Sequence, residues 1–137
     1  MTTYSRYAGS TLPSNVGTNS DRGTRLSDGR AGHICYGPFL TLEEGDYCAG
    51  FRLRRQPGCN GGQLDMDVAG LGYPSIAHKT VRADTLFEDT LCLIPMEFRV
   101  AERVTGVEVR LFAHEGALID VEELVVFSRA AKSWGGR

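Results

Sequence analysis

The residues best suited to chemistry are charged pairs set two apart along alternating stretches: Arg52 and Arg54, Asp65 and Asp67, Glu97 and Arg99, Glu108 and Arg110. A spacing of two puts both members of a pair on one side of an extended strand, opposite its apolar residues. Carboxylate and guanidinium groups held this way can form bidentate hydrogen bonds to the vicinal hydroxyls of a sugar. If the four strands adjoin in one sheet, they make a polar plate of mixed sign. The same groups would also serve as cross-strand ion pairs on an ordinary solvated face. The sequence leaves both readings open. A sugar site further needs a ring on which the apolar side of a pyranose can stack; Tyr36 is the expected platform, with Phe39, Tyr73, Phe112 and Trp134 as other candidates.

Other chemistry finds less support. His33, His78 and His114 lie far apart in the sequence and have no H-x-H or H-E-x-x-H spacing for a metal. No serine sits in a nucleophile-elbow sequence. Asp65 and Asp67 point the same way about 7 Å apart on one strand, with nothing in the sequence to desolvate either. No glycine run has dinucleotide or phosphate-loop spacing. No catalytic residue is therefore assigned, and the chain is not expected to be an enzyme. Glu43, Glu44 and Asp46 near one turn, and Asp120, Glu122 and Glu123 near the last strand, offer oxygens to calcium, the one cation considered. No Asp-rich calcium loop is present, so no cofactor and no metal ligand set are expected. Cys35, Cys48, Cys59 and Cys92 lack C-x-x-C pairs and read as free structural thiols, with one or two disulfides as the alternative.

The elements that must position these residues are strands. His33–Leu40 reads as a strand punctuated by Gly37-Pro38, Thr41–Asp46 as a tight turn, and Tyr47–Arg55 as a strand with Tyr47, Ala49, Phe51 and Leu53 on one side. Residues 56–62 form a loop. Gln63–Ala69 alternates strictly, with Leu64, Met66 and Val68 inward. Gly70–His78 reads as a loop, Thr80–Phe87 as a strand, and Leu91–Val100 as a strand whose Pro95 marks a bulge or an edge. Gly106–Ala113 and Leu118–Phe127 are the last two strands. No segment carries a helical stripe. Short strands separated by Gly and Pro turns predict an all-β, antiparallel β-sandwich of jelly-roll type. The expected domain spans residues 32–128, after a poorly patterned segment 1–31 that packs on it or trails from it. Residues 129–137 are expected to be a loose tail.

The chain has 137 residues, enough for one domain with a real core. Fifteen Lys and Arg against 17 Asp and Glu leave a formal charge of -2, which favours neither nucleic acid nor an anionic membrane as partner. Only Lys79 and Lys132 are lysines, and the arginine bias suits planar, ordered contacts with carboxylates or an oxygen-rich ligand. No run is long and apolar enough to span a bilayer, and the polar Met1–Arg6 start does not lead into a secretory signal, so a cytoplasmic location is expected.

Three stretches carry a resemblance: Gly32–Phe51 (GHICYGPFLTLEEGDYCAGF), Leu64–Val68 (LDMDV) and Gly106–Phe127. Gly37, Pro38 and Phe39 form a Gly-Pro-aromatic step; Leu42, Gly45 and Tyr47 open the next strand; Asp67 with Val68, Glu108 with Arg110, and Asp120 with Val121 follow. On these residues the chain resembles the jelly-roll, carbohydrate-binding-module-like domains of bacterial polysaccharide and cell-surface biosynthesis proteins, often attached to glycosyltransferases. The resemblance covers about 90 to 100 residues, most of the expected domain. It implies a non-catalytic binding or accessory domain for saccharides or surface-polysaccharide intermediates, with a glycosyltransferase or a second copy of the chain as protein partner. The usual enzymatic neighbour has no room here, which implies a free-standing accessory protein or a cut domain. The alternative is a structural or protein-interaction sandwich without a small ligand.

Overall fold

The computed structural model describes residues 4–129. Eleven strands follow one another: β1 Tyr4–Ala8, β2 Thr18–Asn19, β3 Arg25–Leu26, β4 Gly32–Cys35, β5 Pro38–Leu42, β6 Gly45–Arg55, β7 Gln63–Gly70, β8 Tyr73–Arg82, β9 Cys92–Val100, β10 Val104–Ala113 and β11 Ile119–Arg129. They form two antiparallel sheets. The larger has the order β2-β3-β11-β6-β9, with β1 also on β11; the smaller has the order β4-β10-β7-β8, with β5 also on β10. In each sheet one long strand is flanked along one side by two short strands placed end to end: β1 and β3 beside β11, β4 and β5 beside β10. This is the two-sheet, all-β sandwich that the alternation predicts. No helix among the described residues is long and apolar enough to cross a membrane.

The core fills the space between the sheets. Ala49, Phe51 and Leu53 of β6, with Val121, Leu124 and Val126 of β11, meet Leu64, Met66 and Val68 of β7 and Val107, Val109 and Leu111 of β10. Alternation along β6, β7 and β10 thus leaves their charged partners on the two outer faces. Cys35, Cys48 and Cys59 are buried and Cys92 is half-buried, all as free thiols.

The N-terminal segment packs into the larger sheet as β1, β2 and β3. Arg25 holds it there. Its buried guanidinium donates to the carbonyls of Leu12 and Ile34, each at 2.9 Å, to the carbonyl of Ser10 at 3.1 Å and to Asn19 Oδ1 at 2.6 Å.

Four local expectations are corrected. His33–Leu40 is two strands, β4 and β5, because Gly37 and Phe39 both have positive φ (105° and 71°) and turn the chain. The turn expected over Thr41–Asp46 shrinks to Glu43 and Glu44. Gly70–His78 is not a loop, since β8 runs through most of it. The strand expected over Thr80–Phe87 ends at Arg82 and is followed by a 3-10 turn at Ala83–Thr85. Strand β8 is the sheet edge and much of it faces solvent, so it lacks the apolar alternation that betrays a half-buried strand. Pro95 lies in β9, the edge of the larger sheet, where its missing N–H leaves no gap in the ladder. Of the tail expected over residues 129–137, Arg129 is the last residue of β11, and residues 130–137, with Trp134, lie outside the described residues.

Candidate functional site

The single plate expected from the four charged pairs does not form. Strands β6 and β9 belong to the larger sheet, and β7 and β10 to the smaller one. The loop 56–62 carries the chain from one sheet to the other instead of closing a hairpin. Arg52, Arg54, Glu97 and Arg99 therefore share one outer face, and Asp65, Asp67, Glu108 and Arg110 share the opposite one.

On the larger sheet the arginines are neutralised by acids of neighbouring strands. Arg54 Nε lies 3.1 Å from Asp120 Oδ2, and Arg52 Nε lies 2.9 Å from Glu123 and 3.6 Å from Glu122. Arg6 reaches the other oxygen of Glu123 at 2.7 Å. Burial pushes the Glu123 carboxyl up, but the hydrogen bonds and charges of Arg6 and Arg52 outweigh it and hold the group below the usual range. Arg99 lies 3.0 Å from Asp46 and 3.6 Å from Glu44, and Arg103 lies 3.4 Å from Glu43. The acids considered for calcium are thus engaged by arginine. Among the described residues no group of three or more His, Cys, Asp and Glu side chains converges as a metal site. The rings of this face, Tyr4 and Phe127, pack on each other with centroids 6.1 Å apart, with Phe127 opposite Cys48. A cleft of about 350 Å³ opens at one end, lined by Arg22, Arg54, Arg55, Gln56, Glu88 and Asp120 among others.

The smaller sheet is built differently. Register sets Arg110 opposite Asp67, and Phe112 opposite both Asp65 on one side and His33 on the other. Arg110 grips both oxygens of Asp67, with Nε at 2.9 Å and Nη2 at 2.5 Å. Asp65 accepts from Thr80 Oγ1 at 2.6 Å, and its other oxygen lies 2.5 Å from His114 Nε2; His78 Nε2 stands 3.4 Å from the first oxygen. These contacts, His114 foremost and Thr80 next, hold the Asp65 carboxyl down at about 2 despite opposing desolvation. Beside them runs a row of rings. His33 stands 6.0 Å from Tyr36 and 5.1 Å from Phe112, and Phe112 stands 5.1 Å from His114, each pair edge to face. Burial, and then the nearby Arg110, keep the His33 imidazole below its ordinary value.

Five of the nine residues expected to bind ligand thus meet on one face: Tyr36, Asp65, Asp67, Glu108 and Arg110. Arg52, Arg54, Glu97 and Arg99 are on the other side of the molecule. Of the further ring candidates, Phe112 joins the row, and Phe39 is exposed in β5, which pairs with β10. In the sequence the three histidines show only that they lack metal-ligand spacing. Their place beside Phe112 and Asp65 depends on strand register, for which sequence spacing gives no sign.

No protein family model and no curated protein sequence matches the chain. Solved structures do match its fold. The C-terminal CBM6 of LamC, a marine laminarinase from Zobellia galactanivorans, superposes with a TM-score of 0.63 at 11% identity, over 93% of this chain and 100% of that one. The CBM36-1 domain of a multidomain xylanase from the hindgut metagenome of Trinervitermes trinervoides gives 0.61 at 9% identity, over 93% and 98%. The module CBM6cm-2 from Cellvibrio mixtus lichenase 5A, in complex with cellotriose, gives 0.59 at 13% identity, over 92% and 97%. The chain therefore has the jelly-roll fold of these carbohydrate-binding modules.

Proposed function

We propose that the chain is a non-catalytic carbohydrate-binding domain that lays an oligosaccharide across the outer face of the smaller sheet. The observation that carries this reading is the row Tyr36, His33, Phe112 and His114 running beside Asp65 and the Arg110–Asp67 pair. Rings offer the apolar side of a pyranose a surface to cover, and the adjacent carboxylate and guanidinium groups reach its hydroxyls. Successive rings a few ångströms apart fit a chain of sugars better than a single one. The larger sheet is the weaker candidate because its charged groups have no comparable row of rings among the described residues, only the Tyr4–Phe127 pair. A relative of the same fold was solved with cellotriose bound, which supports linear oligosaccharides as the first probes. The resemblance to domains attached to glycosyltransferases supports a role beside such an enzyme in cytoplasmic steps of surface-polysaccharide assembly, as monomer or homodimer.

A panel of neutral and charged oligosaccharides tests the reading by calorimetry, with the wild type, Phe112→Ala and Arg110→Ala. Saturable binding that both variants lose supports it. A folded wild type that binds no glycan, or binding that both variants retain, overturns it.

A further inference from the structure

All three histidines of the chain, His33, His78 and His114, lie on the candidate face. They come from three places in the fold: His33 from β4, His78 from the edge strand β8, and His114 from the residue after β10. Two of them flank the same carboxylate, Asp65, and the third packs against Phe112, the ring that also touches His114.

The fixed charges around them are few. Strand β10 contributes Glu108 and Arg110, and β7 contributes Asp65 and Asp67. On β8, His78 is followed by Thr80 and by Arg82, which is paired with Asp84 at 3.1 Å. Lys79 of the same strand is turned to the Pro95 carbonyl at 2.7 Å. Tyr36 and Gln63 are uncharged neighbours, and Glu115 is exposed in the turn after His114. With neutral imidazoles, and with the Arg82–Asp84 pair cancelling, Arg110 stands against the three carboxylates Asp65, Asp67 and Glu108, and the face is then negative. Three protonated imidazoles reverse that sign. Histidine is the side chain whose charge changes between about pH 5 and 8.

Hydrogen bonding changes in the same direction. At 2.5 Å from a carboxylate oxygen, His114 Nε2 must carry a proton, so in the neutral ring Nδ1 is an acceptor. That Nδ1 has no partner among the described residues. Protonation turns it into a donor, so that an anionic oxygen it would repel becomes one it can bind.

Resting on the carbohydrate reading, we propose that this face takes a polysaccharide bearing repeated anionic groups, and that protonation of its histidines switches that binding on. Carboxylate and sulfate groups remain ionised at about pH 5, so the switch belongs to the protein and not to the ligand. His33, kept low by burial and Arg110, contributes at the acidic end of the range.

The test measures affinity at about pH 5 and about pH 7.5 for an oligogalacturonate, a sulfated oligosaccharide and a neutral cello-oligosaccharide. The wild type is compared with a His78→Gln/His114→Gln double variant. The expected result is at least about tenfold tighter binding of an anionic ligand at the lower pH, weakened by salt, with neutral binding unchanged. The double variant should lose most of the pH dependence, keeping only the part that His33 supplies at the acidic end. Equal anionic affinity at both pH values, or a pH dependence undiminished in the double variant, overturns the proposal. Neutral binding without any anionic response sinks this inference alone; a folded protein that binds no glycan at either pH sinks the carbohydrate reading with it.

Discussion

Nε2 of His114 lies 2.5 Å from Oδ2 of Asp65, tying the end of β10 to its neighbour β7. With Thr80 on the other oxygen, this contact keeps the Asp65 carboxyl at about 2, below its ordinary 3.8. A folded value below the unfolded one means that the native state favours the ionised form. The resulting stability is complete above about pH 4 and is lost as pH falls through about 2. Solvent screening at this partly exposed site limits it to about 1 kcal/mol. Urea unfolding followed from about pH 5 to about pH 2 should show a shallower acid decline in Asp65→Asn than in the wild type. Parallel curves would mean that the carboxylate is not coupled to folding.

Arg54 and Arg110 both alternate outward from long central strands, yet they leave opposite faces of the sandwich. Their replacement by alanine should therefore separate stability from binding. Asp120 is buried, has one oxygen with no hydrogen-bond partner among the described residues and depends on Arg54 for the other. Arg54→Ala should cost about 2 to 3 kcal/mol by stranding that charge while leaving glycan affinity intact. Arg110→Ala should lower affinity by about tenfold or more, because a polar contact central to a site is commonly worth above 1 kcal/mol. Denaturant midpoints and calorimetry on the two proteins decide it; a binding loss in Arg54→Ala would place ligand on the larger sheet instead.

Alternation made β6, β7 and β10 legible in the sequence, because each has one buried and one solvated side. It also identified which residues point away from the core. It carries no information on which sheet a strand joins, so Arg54 and Asp67 read as neighbours when a sandwich thickness separates them. Strand β8 was hidden by its exposure at the sheet edge. In β11 an irregularity between Val121 and Glu123 shifts the phase of alternation. Glu123 accordingly turns outward to Arg6 and Arg52, although a strict period of two would put it with Val121 in the core. The ring row depends on Phe112 standing opposite His33 and Asp65, a register set by the whole sheet.

Arg25 is a buried cation held by neutral oxygens, three of them backbone carbonyls of the N-terminal half. Substitution by methionine fills similar space but leaves the carbonyls of Ser10, Leu12 and Ile34 without this donor. Each stranded buried acceptor costs about 1 kcal/mol or more, so Arg25→Met should destabilise the domain by about 3 kcal/mol. Hydrogen exchange should reveal the loss first in β1 to β3, and uniform protection across both sheets would argue against this anchoring role.

The loop 56–62 that splits the charged pairs between two faces contains a controlled comparison. Gly58 and Gly62 both have positive φ, 88° and 96°. Around Gly58 an added Cβ meets nothing within 4 Å, whereas at Gly62 it would lie 2.5 Å from the Cα of Ala117. Gly62 also accepts the backbone N–H of Ala83 at 2.9 Å, so it sits between the turn before β11 and the one after β8. Gly58→Ala bears only the backbone penalty, about 1 kcal/mol. Gly62→Ala adds a clash with main chain that has no side-chain freedom to relieve it, for a total of about 3 kcal/mol or more. Urea midpoints of the two variants measure the difference, and equal losses would show that the crossover does not depend on this close approach.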